Sequence, residues 1–344
     1  MNWVLLLLKM VRWRRKSSGA SKRKRSAGEN GRVLLQELVE CCDGKSNPIK
    51  AFTAVQIMEA TDNFSHENLV HSDRFQCYRG MLEGRLVKIK TWPTYGCHRD
   101  KVCRDIAVSS MVSGHKNFLK LLGCCLEFDY PVLVCEYSEG IVQIVPPPGI
   151  GKRLDPALTW KMKMKIAKEI ATAVTYLHTT FPRTIVHKNL KPCKVSLDVN
   201  GTAKLSDFAN CVSIPLGKSF VEDDRVEGTY GFVDPDYMST GTVTEKTDVY
   251  SFGVFMRVLL TGKAPCCINE PLAESLSKLV EDDRILEIVD PTMLRKMGSV
   301  SGRERRQMEA LVILSLRCTG HRGEVPKMIE VAKELKMIER YNMI

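Results

Sequence analysis

The sequence predicts an α+β chain in two parts, a small β-rich amino-terminal part with one helix followed by a larger helical part. Three observations predict it. Short β-like runs separated by turns occupy residues 68 to 137. After Pro146-Pro147-Pro148 the apolar spacing changes to that of helices. The 344 residues are 44% hydrophobic and 26% charged, the balance of a soluble globular chain of about two domains. That length excludes a peptide hormone or disulfide miniprotein, and no apolar run approaches the ~20 residues needed to span a bilayer, which excludes a multi-pass membrane protein.

The elements follow in order. Residues 1 to 32 hold ten basic side chains against one acid, Glu29, so most of the net charge of +11 sits at one end and the rest of the chain is close to neutral. From Arg14 to Arg32 the residues are small, polar and like-charged, which predicts a disordered basic arm over 1–32. Such an arm serves as a membrane-surface or nuclear-import address, or as a solvated tail, rather than as a DNA-reading domain. The apolar run Trp3 to Leu8 precedes the positive charges and has no cleavage site after it, so it is a poor signal peptide; beside the basic cluster it offers weak contact with an anionic leaflet.

A helical extension is expected over 33–67. Leu34, Leu35, Leu38 and Val39 mark a short amphipathic helix ended by Asp43-Gly44, and Thr53 with Gln56 three residues on forms a capping box for a second. Over 68–137 the runs Gln76 to Met81, Arg85 to Lys90, Phe118 to Cys125 and Val132 to Tyr137 read as strands, with Glu83-Gly84 as a hairpin turn and one helix around Val102 to Met111. Over 138–340, Ile166, Ile170, Ala173, Val174 and Leu177 mark a helix from Trp160 to His178, and Asn200-Gly201 suggests a tight hairpin between Val195–Leu197 and Ala203–Leu205. Val249 to Leu260 is apolar nearly all round, as in a buried helix, and Met328, Val331, Leu335 and Ile338 mark a closing one. Thirteen cysteines with no C-x-x-C spacing argue against zinc-ribbon or thioredoxin chemistry and for a reducing compartment, cytosol or nucleus.

Four segments carry chemistry in a fixed order: Val87-Lys88-Ile89-Lys90; His187-Lys188-Asn189-Leu190-Lys191-Pro192; Asp207-Phe208-Ala209; and Gly228-Thr229-Tyr230-Gly231 running into Asp234-Pro235-Asp236. Together they resemble the protein-kinase signature set, which implies a two-lobed kinase fold with a small β-rich N-lobe and a larger helical C-lobe. Leu121-Leu122-Gly123-Cys124-Cys125-Leu126-Glu127 and Ala60-Thr61-Asp62-Asn63-Phe64 resemble plant receptor-like cytoplasmic kinases of the wall-associated type. Leu34 to Val39, Asp43 to Ile49, Asp105 to Ser110 and Val331 to Lys336 are similar to the HopZ-ETI-deficient-related pseudokinases.

Phosphoryl transfer needs a backbone cradle and a lysine for the phosphates, metal ligands, and a base for the incoming hydroxyl. Lys90 stands where the phosphate-binding lysine belongs, and its helix partner is Asp105 or, with another gap placement, Ile106. Val70, Ser72 and Phe75 occupy the places of three cradle glycines, so backbone amides cannot approach phosphate as closely. Asn189 stands at the catalytic aspartate's position, and an amide has no basicity to offer. Lys194 replaces the metal-binding asparagine, while Asp207 survives as the other metal ligand. A Lys194–Asp207 pair in place of the ion implies nucleotide binding with little Mg²⁺ dependence. Asp236 takes the place of a buried glutamate whose arginine partner is missing at Glu324-Val325-Pro326, and Asp248 is expected to hold the catalytic-loop backbone.

The vestigial nucleotide site is thus Lys90 and Asp207, with no catalytic residue and no metal site. What the resemblance implies is a catalytically impaired adaptor in plant innate immunity that requires no cofactor. It would bind ATP weakly, dock to an NLR immune receptor through the N-lobe, and recruit effector-modified cytoplasmic receptor-like kinases through the activation segment, Val212 to Tyr230. The alternative is a weakly active serine/threonine kinase with residual ATP binding. No nucleic-acid partner is implied, and the expected location is cytoplasmic, at the plasma membrane or nuclear through the arm.

Overall fold

The computed structural model describes residues 18–44, 47–72, 75–92, 98–137, 142–144, 158–263, 265, 272–320 and 325–341. Expectations for residues 1–17 and for Pro146-Pro147-Pro148 lie outside them. The chain divides into two compact units, 1–141 with 206–210, and 142–205 with 211–344.

The first unit opens with a helix where sequence predicts a disordered arm. Helix α1 runs Ser18–Cys42, so the part of the basic segment from Ser18 on is ordered, and the helix expected from Val33 begins fifteen residues earlier. The correction has a tertiary cause. Gly19, Gly28 and Gly31 make the segment a poor helix former by itself, but its inner face is consumed by partners. Asn30, fully buried, donates to the carbonyls of Leu126 (2.9 Å) and Phe128 (2.8 Å), and Ser26 donates to Asp129. Leu34, Leu38 and Cys41 are buried below them, and the Arg104 guanidinium forks onto Glu37 at 2.8 and 3.1 Å. Asn30→Ala would leave two carbonyls short of a donor and is expected to lower stability by about 1–3 kcal/mol, read from urea unfolding.

Strand β1 (Lys50–Ala51) and helix α2 (Ala54–Ala60) follow, and Thr53 and Gln56 close the expected capping box on α2. Strands β2 (Leu69–Ser72), β3 (Gln76–Leu82), β4 (Arg85–Thr91), β5 (Leu121–Cys125) and β6 (Val132–Glu136) complete a six-stranded sheet of order β1-β5-β6-β4-β3-β2, with only β1 and β5 parallel. Leu82 pairs with Arg85, so Glu83-Gly84 is a two-residue turn with φ of 51° and 72°, the left-handed pair that matches strand twist. Helix α3 (Arg99–Val112) lies between β4 and β5 in sequence, and α1 packs along it. One core forms from Phe52, Ile57, Leu82, Val87, Ile89, Val132 and Val134.

The second unit carries strands β7 (Val142–Gln143), β8 (Ile185–Val186), β9 (Val195–Leu197), β10 (Ala203–Leu205), β11 (Val212–Ser213), β12 (Val221–Glu222) and β13 (Thr242–Val243). Its helices are α4 (Trp160–Thr179), α5 (Pro235–Thr240), α6 (Glu245–Thr261), α7 (Leu272–Glu281), α8 (Pro291–Met297), α9 (Gly302–Cys318) and α10 (Met328–Glu339). The β9–β10 hairpin is wider than Asn200-Gly201 suggests. Leu197 pairs with Ala203, and the Asp198 carboxylate organises the loop between them by accepting the N–H groups of Asn200 and Thr202. Helix α6 is buried along most of its length and stops at Gly262, at φ 67°, as its apolar pattern predicts. Lys163 of α4, buried, pairs with Asp290 at 2.8 Å. Among the described residues no helix is long and apolar enough to cross a membrane.

Candidate functional site

The first unit holds the lysine half of the site. Lys90, near the end of β4, is buried, whereas Lys88 one strand period earlier is half-buried, which fixes the register that sequence left to the motif. Its Nζ donates to Asp105 Oδ2 of α3 at 2.8 Å and to Asp207 Oδ1 at 2.9 Å. Of the two partners left open on α3, the structure selects Asp105. A shorter acid suffices because α3 is held close from two sides: Asp105 Oδ1 also accepts the Phe208 N–H (2.9 Å) and the Ser109 hydroxyl (3.2 Å), and α1 braces the outer flank. Burial opposes the Lys90 charge, but Asp105 and then Asp207 outweigh it and hold the ammonium above the usual lysine range.

Phe75 and Trp92 close over this ion pair. The Lys90 ammonium lies 4.1 Å from the centre of the Phe75 ring and 4.6 Å from that of Trp92. Phe75 therefore stands not only where a cradle glycine is expected but against the cation that would meet phosphate. Val70 and Ser72 lie two residues apart on β2 and share its exposed face. One ammonium shared by two carboxylates leaves the cluster net negative, so an anionic triphosphate meets repulsion before it meets Lys90. Asp207 adopts φ 74°, and Phe208 is fully buried with its ring 5.8 Å from Phe118.

The second unit holds the catalytic-loop half. Asp248 of α6 is fully buried and accepts the N–H groups of His187 (2.8 Å) and Lys188 (2.9 Å) and the Nε2–H of His178 (2.9 Å), the backbone role expected of it. Burial opposes its charge, but His178 and then His187, through its backbone N–H, lower its pKa below the ordinary value of 3.8. Asn189 is buried, and its Oδ1 accepts the Thr229 hydroxyl at 2.9 Å, so the group at the base position is an amide oxygen already bonded within the chain. Lys194 is buried on the short turn Pro192–Lys194. Asp236 is exposed at the start of α5.

Sequence reasoning missed how the activation segment is held. Lys188, at φ 63°, forms an ion pair with Asp223, which also accepts the Tyr237 hydroxyl at 2.8 Å. The Tyr237 oxygen in turn accepts the Glu227 N–H at 3.0 Å. Burial opposes the Asp223 charge, and Lys188 with Tyr237 more than offsets it, lowering its pKa. The only prior signal was one acid in the run Glu222-Asp223-Asp224, and such a run does not say which of its members pairs. Among the described residues no group of three His, Cys, Asp or Glu side chains could hold a metal ion.

Residues 76–312 match the protein kinase domain model. The chain is 51% identical to the serine/threonine-protein kinase ZRK4 of Arabidopsis thaliana, over 97% of this chain and 99% of that one. It is 48% identical to the non-functional pseudokinase ZED1 of the same plant, over 94% and 99%. With the inactive serine/threonine-protein kinase ZRK12 the identity is 45%, over 95% and 82%. The chain belongs to the protein-kinase family, in its ZED1-related group.

Proposed function

We propose that the chain works as a folded binding surface rather than as an efficient enzyme: a pseudokinase adaptor in plant innate immunity that docks to an NLR receptor and recruits effector-modified cytoplasmic kinases. The observation that carries the impaired-kinase reading is the closure of Lys90 by Asp105, Asp207 and Phe75, with Asn189 in place of a base. Losing a general base alone costs ~10² to 10⁴ in rate. Several relatives bear names that say non-functional or inactive. The recruiting role is supported by the activation segment, whose Lys188–Asp223–Tyr237 bonds hold its backbone while Leu216, Phe220, Val226 and Tyr230 stay exposed. ATP, where it binds, does so weakly and with little Mg²⁺ dependence, because Lys194 stands at a metal-ligand position.

Transfer of labelled γ-phosphate by the purified protein, with Mg²⁺ and with Mn²⁺, tests this beside Lys90→Ala. No label above that variant is the expected result. Restoring the base alone, Asn189→Asp, is expected to leave the protein inactive, since Phe75 still covers Lys90. A second reading, a weakly active serine/threonine kinase, rests on the intact Lys90–Asp105 pair and on the name of ZRK4. Label that appears and is lost in Lys90→Ala would establish it in place of the adaptor reading.

A further inference from the structure

The inner side of α10 is spent on the second unit, where Met328, Val331, Leu335 and Ile338 are buried. Its last turn is locked as well. Gln307 of α9 donates to the carbonyls of Ile338 (3.1 Å) and Glu339 (3.2 Å), Arg303 donates to that of Glu339 (2.7 Å), and Lys168 of α4 pairs with the Glu339 carboxylate (2.6 Å). The helix therefore cannot roll to bury its other side.

That other side carries Lys333, Lys336 and Met337, with Arg340 and Tyr341 in the turn that follows, at spacings of three and four that bring them onto one stripe. Met337 is 59% exposed and Tyr341 41%. The acids of α10 are already engaged: Glu330 accepts the Lys327 N–H (2.7 Å), Glu334 pairs with Arg317 (2.7 Å), and Glu339 is held by Lys168. Lys333, Lys336 and Arg340 are exposed, and their side chains have no hydrogen-bond or ion-pair partner among the described residues. A basic side chain at a helix end commonly turns back onto the last carbonyls, but here Gln307 and Arg303 hold those of Ile338 and Glu339. Three uncompensated cations thus surround two apolar side chains left in water.

We propose that this stripe docks on an anionic lipid surface, with Met337 and Tyr341 entering the headgroup boundary and Lys333, Lys336 and Arg340 meeting the lipid phosphates. Charge complementarity selects an anionic partner, since no acid on the stripe is free to compensate the cations. The choice of lipid over an acidic protein rests on shape. Met337 and Tyr341 project from the outer side of a helix, whereas a docked peptide lays its anchors into a groove. A headgroup layer closes around a projection. The flexible stems of lysine and arginine keep their charges at phosphate depth while the apolar pair sinks below it, and a tyrosine ring with its polar tip suits the same boundary. A basic cluster with an adjoining apolar element supplies the two signals that stable peripheral binding requires. The inference does not depend on whether the chain transfers phosphate.

The test is sedimentation of the full chain with vesicles of pure phosphatidylcholine and with phosphatidylserine-rich vesicles, beside the triple variant Lys333→Gln, Lys336→Gln, Arg340→Gln and beside Met337→Gln. The amino-terminal basic residues are the same in all three proteins, so the differences between them read α10. Binding to the anionic vesicles is expected to weaken about a hundredfold in the triple variant, at roughly fivefold per charge removed, and about tenfold in Met337→Gln. The three basic side chains make no bonds among the described residues, so the triple variant should keep the parent's circular-dichroism melt. If it does not, a local measurement decides: the emission that Tyr341→Trp adds to that of the parent should be quenched by brominated acyl chains in the anionic vesicles. A folded triple variant that binds as well as the parent, equal binding to pure phosphatidylcholine, or no quenching at position 341 would overturn the proposal. So would a loss in the triple variant with none in Met337→Gln, which would assign the cations to an acidic protein surface.

Discussion

Lys90→Ala is expected to destabilise the protein by about 3–5 kcal/mol, because it leaves Asp105 and Asp207 as buried carboxylates without their shared cation. The side chains of all three are largely buried, so water cannot take over the missing interaction. Thermal unfolding followed by circular dichroism should show a midpoint roughly 10 °C lower. Lys90→Arg, which keeps the charge, should fall by far less. A Lys90→Ala melt indistinguishable from the parent would mean that the cluster contributes nothing to the fold. The result bears on the phosphate-transfer test: a silent Lys90→Ala sample is informative only when shown to be folded, and Lys90→Arg is the control that separates chemistry from collapse.

The second large effect lies in the other unit. Asp248→Ala removes one acceptor from three donors, the amides of His187 and Lys188 and the His178 ring, and is expected to cost about 3–5 kcal/mol. It also frees Lys188 from the left-handed conformation that Asp248 enforces, a conformation that costs a non-glycine residue about 1–3 kcal/mol. The Lys188–Asp223 pair should loosen with it, and limited proteolysis should cut the activation segment faster. The acid dependence has a definite sign. Because the folded pKa of Asp248 is depressed, its contribution is complete above the ordinary value of 3.8 and is lost as pH falls through the lower native value. Asp248→Asn, which cannot titrate, should therefore lose less stability than the parent between about pH 4 and pH 2, read from urea midpoints across that range.

The catalytic-loop half was legible in the sequence because its residues are close together in the chain: His187 to Lys194 keep their spacing whatever the fold does. The lysine half was only partly legible. Lys90 could be placed by its strand, but its partner depended on a gap, and the choice of Asp105 over Ile106 is made only by the tertiary fold, which sets Asp105 against the Lys90 ammonium. Phe75 was legible as a misfit for a glycine position; that its ring covers Lys90 is a tertiary fact with no periodic signature. The arm was misjudged for the opposite reason. Its glycines and like charges argue against a helix locally, while Ser26, Asn30, Leu34, Glu37 and Cys41 carry the helical spacing with polar residues on the inner face, where an apolar stripe was sought. Asp223 pairs with Lys188 across 35 residues of irregular segment, a distance over which composition says nothing.

The clamp on α1 also sets a timetable for synthesis. Asn30 bonds to carbonyls 96 and 98 residues further along the chain. At about 5–20 residues per second, the segment leaves the ribosome roughly 5–20 s before the β5–β6 connection that it bonds to exists. Its weak intrinsic helicity and mutual charge repulsion then become an asset: a strong amphipathic helix with nothing to pack on would be a target for wrong partners or aggregation, whereas Gly19 to Arg32 can wait as soluble chain and fold last, onto a surface already made.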